Sequence, residues 1–90
     1  MPKRRELNLD EKQRAELEQH RDHDGRPYAR ERCAAILKIA DGQSPHHVAL
    51  HGLLKSRKPD TVYQWLDWYE KDGIDGLVAR QQGGYRRGSL

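Results

Sequence analysis

The 90-residue sequence has a single cysteine, Cys33, and no long run of apolar residues. One cysteine cannot form an internal disulfide, so the composition suits a reducing cytosol. No segment approaches the roughly 20 apolar residues that a bilayer requires, which argues against a membrane-spanning protein. The basic start of the chain is followed by charged residues, unlike a secretory signal. We therefore expect a cytoplasmic protein that has no membrane partner.

Basic residues only slightly outnumber acidic ones, but the two kinds are unevenly placed. Lys and Arg total 17 and Asp and Glu total 14, which gives a net charge of +3. The basic residues group at the start of the chain, just before Pro59 and after Ala79. Separated positive patches on a small domain are typical of nucleic-acid binders, although a solvated surface explains the same charges. Charge alone leaves both interpretations open.

Apolar residues recur with helical spacing along most of the chain and predict an all-α fold of about four helices. The first helix is expected over about residues 9–20, with Asn8 as the N-cap of a capping box. The second is expected to begin near Pro27 and to end at Gly42 in a left-handed conformation. Cys33 lies on the apolar stripe of this second helix and is most simply a core residue.

Two further helices are predicted in the second half of the chain. Ser44 is the expected N-cap of a short third helix that ends near Gly52. A fourth helix is expected from Pro59 to about Asp72, with Gly73 as its C-cap. Four of its apolar residues have helical spacing and should face the core: Val62, Trp65, Leu66 and Tyr69.

The third and fourth predicted helices together suggest a helix-turn-helix motif. The small side chain of Ala49 would let the two helix axes approach closely, while the fourth helix offers its polar face to a major groove. Free N–H groups and the helix dipole favour a phosphate at the start of that helix. We expect Arg57 and Lys58 to contact phosphates. The residues expected to lie nearest the base edges are Thr61, Tyr63 and Gln64. An ordinary four-helix bundle with a polar face is the alternative interpretation.

Three segments of the sequence carry a resemblance to a known family. Residues 32–44 contain RCAAIL and ADGQS, residues 61–66 are TVYQWL, and residues 69–77 are YEKDGIDGL. In order and spacing they resemble RA-ILLL-A-G-S, TVYRWL and F-EEGL-GL in bacterial insertion-sequence transposases of the mariner-like superfamily. The resemblance extends over about residues 7–84 and covers the N-terminal DNA-binding region of those enzymes. It implies a homeodomain-like helix-turn-helix module that binds double-stranded DNA.

The sequence departs from this family in the turn and in the tail. The turn between Ala49 and Thr61 is longer than in the family by roughly one helical turn, which could re-aim the fourth helix. The end of the chain keeps the family's arginine and glycine but lacks its proline. This composition predicts a helical domain over residues 1–78 and a flexible basic tail over residues 79–90. The tail would contact DNA phosphates or a narrow minor groove through three arginines: Arg80, Arg86 and Arg87.

The resemblance also bears on catalysis and partners. Transposases of this kind cleave DNA with metal-binding carboxylates in a separate catalytic domain, and this sequence ends about where that domain would begin. We therefore expect no enzymatic activity and no cofactor. A homodimer and a separately encoded transposase catalytic subunit are both left open as partners. The sequence does not distinguish a regulator from a transposition accessory protein or from the first reading frame of a split transposase.

A histidine pair and a tryptophan could each serve another function. His47 and His51 have the i, i+4 spacing of a zinc-binding pair, but a structural zinc site needs four ligands, so we expect no metal site. They are interpreted as part of a polar helix surface or as phosphate contacts. Trp68 is expected to pack against the N-terminal helix. The alternative function is a protein-interaction bundle of the adaptor or antitoxin-like type, with Trp68 and Tyr63 as its contact patch.

Overall fold

The computed structural model describes residues 7–53 and 55–79, and these form an all-α bundle. Within these residues there is no strand, as the apolar spacing predicted. The helices are α1 (Glu11–His23), α2 (Pro27–Ala40), α3 (Pro45–His51) and α4 (Pro59–Ala79). None of the helices in this part of the chain is long and apolar enough to span a bilayer.

The capping box of α1 lies two residues later than the sequence predicted. Asp10, and not Asn8, is the N-cap: its Oδ1 accepts the Gln13 backbone N–H at 2.7 Å. In return, Gln13 Oε1 accepts the Asp10 N–H at 3.0 Å. A carboxylate at this position also interacts favourably with the positive end of the helix dipole, which a neutral asparagine cannot do. The helix then continues to His23, beyond the predicted end near residue 20.

The ends of α2 and α3 follow the local signals in the sequence. Pro27 lies in the first turn of α2, and Gly42 beyond its end has a φ of 108°, which confirms the left-handed conformation expected there. Ser44 caps α3, because its Oγ accepts the backbone N–H of His47 at 3.0 Å. Gly52 follows the last turn of α3 as its C-cap.

A break at Gly73 divides α4 into a long first segment and a short last one. Gly73 has a φ of 73° and a ψ of −157°, which are not helical angles. The long segment therefore ends at Asp72, as the sequence predicted. After the break the chain turns back onto the bundle, where Leu77 is completely buried.

The core lies where α2 packs against the other three helices. The apolar residues predicted to face inward on α4 are all buried, and Trp65 is only 2% exposed. Cys33 is buried as well, and this burial raises the pKa of its thiol to about 12. Among the described residues of α1, Leu17 is the one that is fully buried. The core therefore joins α2, α3 and α4, and α1 packs along α2 with Leu17 as its buried residue.

Candidate nucleic-acid interface

The two faces of α4 differ in the way that a DNA-reading helix requires. Val62, Trp65 and Leu66 are buried in the core. Gln64 is exposed on the opposite side, and Thr61 is partly exposed. This arrangement leaves hydrogen-bonding side chains accessible at the start of the helix while the aromatic side anchors it.

Tyr63 and Lys58 complete the exposed surface near the start of α4. Tyr63 is partly exposed, and Lys58 is exposed just before the helix begins. The carbonyl oxygen of Lys58 accepts the backbone N–H of Thr61 at 2.9 Å, which forms a tight first turn. The Lys58 ammonium group is therefore attached to a defined backbone position next to the helix N-terminus.

Arg57 is held against α2 by an ion pair with Glu31. Its Nε donates to Glu31 Oε2 and its Nη2 donates to Glu31 Oε1, both at 2.8 Å. These hydrogen bonds raise the pKa of Arg57 above its ordinary value. This partner could not be predicted from local sequence, because Glu31 lies 26 residues earlier and belongs to another helix. Parallel hydrogen bonds of this kind fix the plane of the guanidinium group.

The long turn between α3 and α4 is tied to the end of α3. The backbone N–H of Arg57 donates to the carbonyl oxygen of Ala49 at 2.7 Å. The hydroxyl of Ser56 donates to the carbonyl oxygen of Leu50 at 3.4 Å. Together with the Glu31 ion pair, these contacts give the extended turn a definite path, and so they fix where α4 begins.

The exposed side of α3 carries histidines. His46, His47 and His51 are exposed, and so is Leu50. The ring centroids of His47 and His51 lie 5.3 Å apart, with the rings tilted by 48°. In residues 7–53 and 55–79, no group of three or more His, Cys, Asp or Glu side chains is placed to hold a metal ion.

Arg32 is a buried charged residue in the core, where we expected only apolar side chains. It is 3% exposed, and its Nη1 donates to the carbonyl oxygen of Leu77 at 3.0 Å. The centre of its guanidinium group lies 4.8 Å from the ring centroid of Tyr28 and 5.2 Å from that of Trp68. Burial lowers the pKa of Arg32 below its ordinary value. Trp68 is thus partly buried against the core and lies beside this arginine of α2. Its expected packing against α1 stays a prediction.

The signal for Arg32 is present in the sequence. Arg32 follows Ala29 by three positions and precedes Ile36 by four, so it lies on the same helical stripe as these two apolar residues. That spacing predicts a buried side chain. Arg32 was not predicted to be buried because only the apolar residues of this stripe were assigned to the core.

The connection between α1 and α2 is organised by the carboxylate of Asp24, whose side chain is 6% exposed. It accepts the backbone N–H of Arg26 at 2.9 Å and its Nε–H at 3.0 Å, and it lies 2.8 Å from Nδ1 of His20. These partners lower the pKa of Asp24 well below its usual range, the Arg26 side chain most of all. The same arginine reaches the end of α4, where its Nη1 donates to the carbonyl oxygen of Val78 at 3.3 Å.

The three tail arginines predicted to contact DNA lie outside the described residues. They are Arg80, Arg86 and Arg87, and the predicted boundary between domain and tail falls at the edge of the described chain. Their role stays a prediction.

Comparison with known proteins assigns the fold to a family. A family model described as a homeodomain-like domain, of the helix-turn-helix type, matches residues 26–78. This range contains α2, α3 and all of α4 except its last residue, Ala79, and it leaves α1 outside. No curated protein and no solved structure matches the chain. Because the model covers more than half of the sequence, the chain belongs to the homeodomain-like domain family.

Proposed function

We propose that the protein binds double-stranded DNA by placing the first turns of α4 in the major groove. The observation that carries this proposal is the division of α4 into two faces within a homeodomain-like helix-turn-helix fold. Gln64 is exposed and Trp65 is buried, so the polar side of the helix is the accessible one. A helix of this kind fits the width of the major groove of B-form DNA.

Three side chains are proposed to contact base edges. Gln64 can make two hydrogen bonds to an adenine, and Thr61 can donate to or accept from a base. Tyr63 lies between them in the sequence and adds a hydroxyl. Beyond Gln64, the exposed residues of α4 are mostly acidic, which supports phosphate contacts near the start of the helix and not further along it. The acidic residues are Asp67, Glu70, Asp72 and Asp75.

Phosphate contacts are proposed at the start of α4 and in the tail. Lys58 is exposed beside the helix N-terminus, where the dipole also favours an anion. Arg57 directly precedes Lys58 and is proposed to contact a phosphate as well. The tail would add backbone or minor-groove contacts through Arg80, Arg86 and Arg87. These contacts would fix the position of the protein on the duplex, whereas the base contacts would determine its sequence preference.

We further propose that the protein serves as the DNA-recognition module of a transposase-like system. The three sequence motifs shared with insertion-sequence transposases support it. A separately encoded catalytic subunit would then act on the DNA that this protein selects. If the protein binds as a homodimer, its preferred site should be a palindrome, because the symmetry of the protein is mirrored in the DNA.

The test is a salt titration followed by selection of bound duplexes from a random pool. If about six to eight phosphates are neutralised, affinity should fall roughly 10³-fold or more between 50 and 200 mM salt. Selection should yield an enriched motif, and a palindromic motif would support the dimer. Binding that ignores salt, with no enriched motif, would overturn the proposal. That outcome would favour the alternative of a protein-interaction bundle.

A further inference from the structure

A shallow groove lies between the first turns of α2 and the turn that joins α3 to α4. Its lining residues are Pro27, Arg30, Glu31, Lys55 and Arg57. Three of these residues are basic and one is acidic, so the groove has a net positive charge. Arg57 directly precedes Lys58, and the groove therefore adjoins the start of α4.

Arg57 is oriented in this groove with part of its hydrogen-bonding capacity unused. A guanidinium group has five N–H donors arranged in a rigid fork. Glu31 accepts from Nε and from Nη2, which occupies one edge of the fork. Within residues 7–53 and 55–79, Nη1 of Arg57 makes no hydrogen bond or ion pair, so it is available to a second anion. A carboxylate that fixes one edge of an arginine in this way presents the other in a defined plane.

The surrounding residues are also held in place. The backbone of Arg57 is tied to Ala49 by a hydrogen bond of 2.7 Å. On the opposite wall, Nη1 of Arg30 donates to the carbonyl oxygen of Asp24 at 2.6 Å. Lys55 is exposed on the turn. Two of the three basic side chains are therefore ordered before any ligand arrives, which reduces the entropy lost on binding.

We propose that this groove binds a phosphodiester group of the DNA backbone, with Arg57 as the oriented donor and Arg30 and Lys55 as supporting charges. The inference rests on the proposed DNA binding and adds a contact formed by α2 and the extended turn. Tetrahedral phosphate oxygens match the planar donor pair of arginine, whereas lysine acts only as a point charge. The groove contact carries no base preference and fixes the register of α4 on the duplex.

The experiment compares two arginine-to-lysine variants that keep the net charge. In Arg57→Lys the planar guanidinium group is replaced by a single ammonium group. That group cannot pair with Glu31 and, at the same time, offer a second set of oriented donors to a phosphate. The matched control is Arg14→Lys, since Arg14 is also an arginine with a partly exposed side chain in an ion pair, with Asp41 at 3.1 Å. Affinity for a random-sequence duplex is measured by fluorescence anisotropy as a function of salt. The slope of log K against log salt should become less steep by about 0.9 for Arg57→Lys and stay unchanged for Arg14→Lys.

A second variant tests the groove without altering the ion pair that holds the turn between α3 and α4. Lys55→Gln removes an exposed charge that takes no part in the ion pair, and Lys12→Gln on α1 is its matched control. Lys55→Gln should weaken binding about 3-fold or more at moderate salt, equally for every duplex, as a lost phosphate contact does. Lys12→Gln should leave binding as in the wild type.

The outcomes separate this inference from the proposed function. Wild-type slopes for both Arg57→Lys and Lys55→Gln, in a protein that still selects a DNA motif, would overturn the groove site and leave DNA binding in place. Equal losses in the α1 controls would also overturn it, because they would indicate a diffuse charge effect. A wild-type protein that binds no duplex would overturn both proposals.

Discussion

Arg32 in α2 donates a hydrogen bond of 3.0 Å to the carbonyl oxygen of Leu77 in the short last segment of α4. The last carbonyls of a helix have no partner within the helix and carry the negative end of its dipole. A buried guanidinium group is costly unless it has such partners. The contact between Arg32 and Leu77 therefore joins the two ends of the homeodomain-like unit, and the faces of Tyr28 and Trp68 surround the charge.

Replacement of Arg32 should destabilise the protein strongly. Arg32→Ala removes a packed side chain and leaves a buried carbonyl without its donor, so the free energy of unfolding should fall by about 2–4 kcal/mol. Arg32→Lys should have an intermediate effect, because an ammonium group cannot stack on the rings as guanidinium does. Urea unfolding followed by tryptophan fluorescence measures both. A change of under about 0.5 kcal/mol for Arg32→Ala, the range of ordinary surface substitutions, would contradict this role.

Asp24 should contribute stability that is lost in acid. Its hydrogen bonds to Arg26 and His20 lower its folded-state pKa below the ordinary value of 3.8. The ionised carboxylate thus stabilises the fold fully above about pH 5, and this contribution is lost as pH falls through the folded-state pKa. Asp24→Asn should lower the free energy of unfolding by about 1–2 kcal/mol at pH 7. The difference from the wild type should shrink steadily between pH 5 and pH 2.

The control for this prediction is the neighbouring exposed carboxylate. Asp22 pairs with the adjacent Arg21, and both side chains are well exposed to solvent. Surface ion pairs of this kind add little to stability. Asp22→Asn should therefore unfold like the wild type at every pH. A pH-independent difference between Asp24→Asn and the wild type would show that Asp24 acts through shape and not through charge.

Gly73 should be required for the break in α4. Its φ of 73° and ψ of −157° lie in a region that residues with a Cβ rarely adopt. A Cβ at this position would meet no atom within 4 Å, so the cost of Gly73→Ala comes from the backbone alone. We expect a loss of about 1–3 kcal/mol in the free energy of unfolding.

Gly25 provides the matched control for Gly73. A Cβ at Gly25 also meets nothing within 4 Å, but Gly25 does not have a positive φ. Gly25→Ala should be neutral or slightly stabilising, because alanine restricts the unfolded chain. Thermal unfolding of the two variants side by side measures the difference. Equal effects at both positions would mean that the conformation of Gly73 is not what the substitution disturbs.

Features that depend on neighbouring residues could be predicted from the sequence. Ser44 caps α3, Gly42 and Gly73 have positive φ, and Trp65 faces the core, as local spacing indicated. The predicted position of the capping box of α1 was wrong by two residues. Asn8 and Asp10 both fit the sequence pattern, but only Asp10 has a charged acceptor.

Features that join distant helices could not be predicted in the same way. The pairing of Glu31 with Arg57 brings together residues from α2 and the extended turn, and many carboxylates would have suited that arginine equally well. The sequence indicated which side chains of α4 were polar. It did not indicate that the turn before them is fastened to α2.

Base contacts and phosphate contacts at the start of α4 should respond differently to substitution. Gln64 is proposed to contact a base and Lys58 a phosphate, so their replacement should have different effects. Gln64→Ala should relax sequence preference by about 1–3 kcal/mol at one position of the selected site. Lys58→Ala should weaken binding to all duplexes alike and make the salt slope less steep by about one. The measurement is anisotropy with the selected duplex and with each single-base variant of it. Gln19→Ala, an exposed glutamine on α1, is the control and should bind like the wild type. The same loss for Gln64→Ala and Lys58→Ala on every duplex would show that α4 does not read the bases through Gln64.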